Sequence, residues 1–409
     1  MTNENPKLRA VNVHPIQHEN QPMLLLDDPL HLSDTSIAVP RPLAALLMLM
    51  DGTRDASRLE AALQVQAGVR LAPGLLEQLL AGLDAAFLLD NERFRQARAA
   101  AVEAYRAAPF RPLTLDGASF DGCAEMTSAQ LQGYIDALPP APAEPEGEAA
   151  PIRGVISPHI DYQRGGPVYA EVWRAAAEAA RQAELVIILG TDHRGGEATL
   201  TLTRQSYATP FGVLPTEQSL VDDLAGALGD EAVYGEELNH RQEHSIELAA
   251  VWLHLMRGGE AVPLLPILCG SFGAFVAGQG QPADHEPFAR AVEVLQPAMA
   301  GRRTLVVAAA DLAHIGPAFG DRHGVDFIGR AQQRNADERL MASICAGDAE
   351  SFFAQIRDEG DRRHVCGLPP IYLTLRLLGE VQGHQAGYAL CPADPQGLSF
   401  VSIAGAVLR

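Results

Sequence analysis

Apolar residues in the second part of this chain come in short, unbroken runs. Gly154-Val155-Ile156, Leu185-Val186-Ile187-Ile188-Leu189, Val262 to Leu268 and Thr304 to Ala309 show no polar alternation. Such runs predict strands buried on both faces. Between them lie stretches with helical spacing, over 167–182, 217–228, from about Glu243 onward, 324–346 and 369–379. Two further strand-like runs, 386–390 and 399–404, close the chain. The alternation predicts an α/β fold with a mixed or mostly parallel sheet covered by helices.

The first hundred residues read differently. Met23-Leu24-Leu25-Leu26 predicts a strand ending in the turn Asp27-Asp28-Pro29. Helices are expected over Arg41 to Met50, stopped by Asp51-Gly52, over Ser57 to Gln66, and over Pro73 to Ala86. Phe87-Leu88-Leu89-Asp90 suggests a short strand. Three short helices with flanking strands point to a small α+β, winged-helix-like module over 1–98. It lacks a dense basic recognition helix, so docking or dimerisation is the plain alternative to ligand recognition. Residues 99–138 look helical, interrupted by Pro109, Pro112 and Gly117. Pro139 to Pro151 is rich in proline and glutamate and reads as a linker. The expected organisation is therefore 1–98, a helical bridge and linker over 99–151, and a larger domain over 152–409.

With 409 residues, 47 % of them hydrophobic, the chain has material for more than one core. A formal net charge of −20 argues against nucleic acid or an anionic membrane as partner. No apolar run reaches the roughly 18 residues of a membrane span. Five scattered cysteines without a CxxC pair suggest a reduced, cytoplasmic protein.

Chemistry-bearing residues gather where the predicted strands end. His159 follows the first strand in Ser157-Pro158-His159-Ile160-Asp161-Tyr162. Asp192 and His193 follow the second in Gly190-Thr191-Asp192-His193-Arg194-Gly195. Asp311 and His314 follow a later strand. Ligands in α/β sheets bind beyond the carboxyl ends of strands, and two imidazoles delivered there suit one metal ion. His244, in Glu243-His244-Ser245-Ile246-Glu247, opens a helix and is a candidate acid/base or additional ligand. A carboxylate such as Asp311 would complete a two-histidine, one-carboxylate set, the pattern of non-heme Fe(II) oxygen chemistry. Asp192 is a candidate for catalysis or for orienting an imidazole. Tyr162, Glu243, His314 and Cys366 are candidates to line the cleft, Cys366 standing just before a helix in Cys366-Gly367-Leu368-Pro369-Pro370.

These motifs, with Thr209-Pro210-Phe211-Gly212 and Asp311-Leu312-Ala313-His314, resemble the Memo-like family over Ile152 to Arg409. Members beside radical-SAM genes are called AmmeMemoRadiSam system protein B. The N-terminal module is similar to PqqD-like peptide-recognition modules. The resemblance implies the fold of class III extradiol dioxygenases, with His159 and His193 as metal ligands and His244 as acid/base or further ligand. It implies Fe(II) first, with zinc or copper as alternatives, and a radical-SAM protein, a peptide or a small aromatic substrate as partner. In the dioxygenases a glutamate gives the third ligand, and in animal Memo a cysteine stands at the place of Ala313. Alanine supplies no donor, so the third ligand falls to His244, Asp311, Asp192 or His314. A non-enzymatic scaffold using the same cleft, or zinc-assisted hydrolysis, are the competing functions.

Overall fold

The computed structural model describes residues 5–114, 124–140 and 150–409. Most of the proline- and glutamate-rich linker, and Cys123, lie outside the described residues. The chain divides into two compact units, Met1–Ala107 and Ala108–Arg409.

The first unit begins with an antiparallel sheet of β1 (Asn12–His18), β2 (Gln21–Asp27) and β3 (Ile37–Pro40) in that order. Helices Ala44–Leu49, Ala56–Ala67, Leu75–Ala85 and Glu92–Ala107 follow. Asp55 caps the second of these by accepting from the Arg58 N–H at 2.8 Å, and Gly68 ends it in the left-handed region. Leu26, Val39, Leu46, Leu59, Leu63 and Leu83 form the core. The Asp28 turn is structural: its carboxylate pairs with Arg9 and accepts the backbone N–H groups of Leu30 and Leu32. Phe87 to Asp90 is not a strand. Phe87 takes φ 57 after the preceding helix, and Leu89 makes only a bridge to Leu8. Strand β1 carries mostly exposed residues, so no apolar pattern marks it.

The second unit contains β4 (Gly154–Ser157), β5 (Leu185–Thr191), β6 (Leu200–Leu202), β7 (Tyr207–Thr209), β8 (Gly212–Leu214), β9 (Leu264–Cys269), β10 (Thr304–Ala309), β11 (His314–Ile315), β12 (Gly383–Pro392) and β13 (Phe400–Leu408). Its main sheet runs β11-β13-β4-β10-β5-β9-β6, with β12 also on β13. The centre, β4-β10-β5-β9, is parallel; the flanking strands are antiparallel. Both faces are buried, as the unbroken apolar runs require. Ile187, Leu189, Ile267, Val306 and Ala308 point to one face, under helices that include Glu286–Met299, Ala349–Asp358 and Leu368–Leu378. Val186, Ile188, Leu305 and Val307 point to the other, under Tyr162–Gln182 and Ser245–Met256.

Helix Tyr162–Gln182 starts five residues before the expected 167, with Pro167 inside it. Asp161 caps it by accepting from the Arg164 N–H at 3.1 Å. Gly165 and Gly166, ahead of the expected start, lie inside the helix and serve close packing. A Cβ on Gly166 would stand 2.4 Å from the Tyr134 ring, and one on Gly165 2.5 Å from Ile160. Among the described residues no helix is long and apolar enough to cross a membrane.

Register brings the parallel strands to one level edge. Ala309 stands opposite Ser157 on one side and Gly190 on the other, and Thr191 opposite Cys269. Gly190 passes directly beneath the start of helix Ser245–Met256: a Cβ there would lie 2.5 Å from Ile246 and 2.6 Å from Ser245 Oγ. Gly190→Ala is expected to destabilise the second unit by about 1–3 kcal/mol through overpacking. Urea unfolding followed by tryptophan fluorescence checks this, and an unchanged midpoint would refute the tight contact.

Candidate metal centre

His159 leaves the end of β4 with its conformation held from both sides. Its backbone N–H donates to Asp311 Oδ1 at 2.8 Å, and that of Ile160 to the same oxygen at 3.3 Å. Its Nδ1 lies 2.9 Å from the Ala309 carbonyl, which can only accept. In the neutral ring the proton is thus on Nδ1, and Nε2 carries the lone pair. That Nε2 stands 3.3 Å from Cys366 Sγ.

His193 leaves the end of β5. Its Nδ1 lies 3.0 and 3.1 Å from the two carboxylate oxygens of Glu243, which also accepts its backbone N–H at 3.1 Å. The other ring nitrogen is left to face Cys366. His159, His193 and Cys366 offer ligand atoms within 4.8 Å of one another. Each imidazole is tied at its far nitrogen to an acceptor, the arrangement that sets tautomer and aim in metal sites. For bonds of roughly 2.1 Å to nitrogen and 2.3 Å to sulfur, tetrahedral N and S donors sit roughly 3.6 Å apart, so the residues fit a metal ion.

The ring of His244 is stacked on that of His193, with centroids 5.1 Å apart, and lies 5.6 Å from His159. Its Nδ1 is 3.2 Å from Glu243 Oε1. A cleft of about 440 Å³ opens over this group, lined by His159, His193, His244, His314, Phe319 and Leu248 among others. A smaller cavity of about 250 Å³, lined by Cys366, His193, Asp192 and His364, adjoins it.

The charges are strongly coupled. Burial disfavours a thiolate on Cys366, yet His159 and His193 draw its pKa down to about 6. Burial also opposes a charge on His159, but Asp311 and Cys366 raise it to about 9. Each group thus favours the charged form of the other across the 3.3 Å contact. Burial raises Glu243, but His193 and His244 hold it well below the usual carboxylate range. Partial burial lowers His244 to about 4, so it is neutral at pH 7.

Other candidates take different places. Asp311 clamps the His159 turn; its Oδ2 is 3.7 Å from His159 Nε2, and it belongs to neither group of clustered donors. Asp192 accepts from the Asn239 amide and the Arg194 N–H, and burial raises it to about 6. His314 lines the cleft while its Nδ1 faces the His364 carbonyl at 3.2 Å. Tyr162, expected at the cleft, is fully buried beneath it, donating to the Leu248 carbonyl at 2.7 Å and packed edge-on against Tyr169 and Trp252. Ala313 sits in a small apolar cluster with Ile315 and Phe400 and carries no donor.

One structural residue escaped the sequence reading. Arg111 is fully buried and pairs with Glu247, one helical turn past His244. It also donates to the Glu243 carbonyl at 2.8 Å and the His240 carbonyl at 2.6 Å. This guanidinium pins the loop that presents Glu243 and His244. An isolated arginine after Phe110 carries no pattern by which sequence could have marked it. Arg111→Met should cost about 3–5 kcal/mol, because it strands the Glu247 carboxylate, and adding Glu247→Leu should restore much of that. Denaturant unfolding of both variants checks this; equal loss in the double variant would show that the pair's other contacts dominate.

A family model described as Memo-like protein matches residues 111–404. A MEMO1 family protein of Aquifex aeolicus is 25 % identical over 405 residues, 98 % of this chain and 99 % of that protein. One from Thermus thermophilus is 26 % identical over 79 % of this chain and 90 % of its own length. One from Methanococcoides burtonii is 30 % identical over 54 % of this chain and 71 % of its own. The family match begins at Arg111, the residue that pins the Glu243 loop, and runs through every strand-end motif and Cys366. The chain belongs to the Memo-like protein family.

Proposed function

We propose that this protein is a metalloprotein whose ion is held by His159, His193 and Cys366, with a substrate taken into the adjoining cleft. The observation that carries this is the convergence of the three donors within 4.8 Å, each imidazole locked at its far nitrogen. Non-heme iron in a dioxygenase-like setting is the first reading of the metal. A thiolate in the third place departs from a two-histidine, one-carboxylate set and also suits copper or zinc. When bound, such an ion supplies Lewis acidity and, for iron or copper, one-electron chemistry.

The remaining roles fall to the chain's own groups. His244, neutral and on the cleft wall, is placed to take a proton from a bound ligand. Leu248, Phe319 and Val401 give the cleft apolar walls, and its volume of about 440 Å³ suits a small molecule or one side chain of a peptide. Association with a radical-SAM protein is supported by the family resemblance alone.

The test is elemental analysis of protein purified without oxygen, with O₂ uptake measured on a panel of catechols. At least one ion per chain is expected. His159→Ala combined with His193→Ala should remove the ion while the far-ultraviolet circular dichroism stays unchanged. Cys366→Ser should weaken binding in the same way. Full metal content in the double-histidine variant refutes the assignment. Metal without O₂ uptake would turn the reading from an oxidoreductase to a binding protein.

A further inference from the structure

Glu243 has more imidazole nitrogen around it than one orienting role requires. Its buried carboxylate lies 3.0 and 3.1 Å from His193 Nδ1 and 3.2 Å from His244 Nδ1. The His193 and His244 rings are nearly parallel, at 12°, and each has its Nδ1 within 3.2 Å of that carboxylate. His193, Glu243 and His244 offer ligand atoms within 4.8 Å of one another, a second donor group that overlaps the first only at His193. With bonds of roughly 2.0–2.1 Å, tetrahedral nitrogen and oxygen donors sit roughly 3.3–3.4 Å apart. The two spacings from Glu243 to the imidazoles are close to that edge. The Glu243 oxygens are held in place besides, one by the Ser245 N–H at 3.0 Å and one by the His193 N–H at 3.1 Å.

We propose that His193, Glu243 and His244 form a second cation site, joined to the first through the His193 imidazole. It would take a divalent ion of borderline character, such as zinc or cobalt, because its donors are two imidazoles and one carboxylate. The first site uses the His193 nitrogen that faces Cys366, and the second uses Nδ1. Filling the second site displaces the protons that His193 and His244 now direct at Glu243, so loading releases protons to solvent. The proposal rests on the first-site reading only through the shared His193. With the first site alone filled, Glu243 orients His193; with both filled, it becomes a ligand.

Anaerobic titration of the metal-free full chain with Co(II) tests this. The first site contains a thiolate and gives a sulfur-to-cobalt charge-transfer band in the near ultraviolet. The second has no sulfur and gives visible ligand-field bands alone. Two equivalents are expected in the unmodified protein, one with and one without the sulfur band. His244→Ala and Glu243→Gln should each reduce two equivalents to one and keep the sulfur band. Cys366→Ser should lose the sulfur band and keep a sulfur-free equivalent. The half-exposed His244 side chain makes its alanine variant the safer of the two for folding. A single equivalent in the unmodified protein, or two equivalents surviving in His244→Ala, overturns the second site. Absence of the sulfur band with His244-dependent binding intact would instead overturn the first site and leave the second standing.

Discussion

Everything at this centre depends on three parallel strands ending at the same height. β10 lies between β4 and β5, and Ala309 faces Ser157 on one side and Gly190 on the other. The next residues therefore emerge together, and His159 and His193 arrive with ring centroids 5.0 Å apart. β10 then contributes twice more. Its last carbonyl, on Ala309, fixes the His159 tautomer, and Asp311 just beyond it ties down the His159 and Ile160 backbone. A one-residue slip of β10 would flip its side chains between the two cores and pull both anchors from the His159 turn.

Charge burial is the cost of this arrangement, and the chain offsets it with paired groups. Glu243 and Glu247 are both buried beside the donors, and each has a cationic or hydrogen-bonding partner. Arg111 links the two, bonding the side chain of one and the backbone carbonyl of the other. It also lies 4.7 Å over the Tyr207 ring. An arginine suits this place better than a lysine, since its planar fork can meet several acceptors at once. The segment around Arg111 is thus part of the folded unit that holds the centre. That agrees with a family match beginning at residue 111 rather than at the first strand of the sheet.

Much of this was legible in the sequence because burial on both faces leaves a plain mark. β4, β5, β9 and β10 showed themselves as unbroken apolar runs, and the histidines stood immediately after two of them. What stayed hidden was set by contacts without periodicity. β1 exposes most of its side chains, so no apolar pattern reveals it. Gly165 and Gly166 stood outside the expected helix but are packing residues within it, against Tyr134 and Ile160. Tyr162 was a candidate cleft residue, yet it is the first residue of the helix that Asp161 caps and its hydroxyl is buried on the Leu248 carbonyl.

The third donor illustrates the same limit more sharply. The family resemblance directed attention to position 313, where alanine offers nothing. The thiol that meets His159 comes from a loop about 50 residues later, just before helix Leu368–Leu378. Two non-glycine residues in that loop, Asp361 and His364, hold positive φ values of 45 and 50. Asp361 is braced by accepting the Val365 N–H at 2.9 Å, and the Cys366 carbonyl by the Thr191 hydroxyl at 3.1 Å. Backbone held in so sparsely populated a region persists only where surrounding contacts over-determine it. Here the contacts run from the loop to the end of β5, the strand that delivers His193. The position of Cys366 is therefore a property of the assembled edge of the sheet, and no spacing along the chain encodes it.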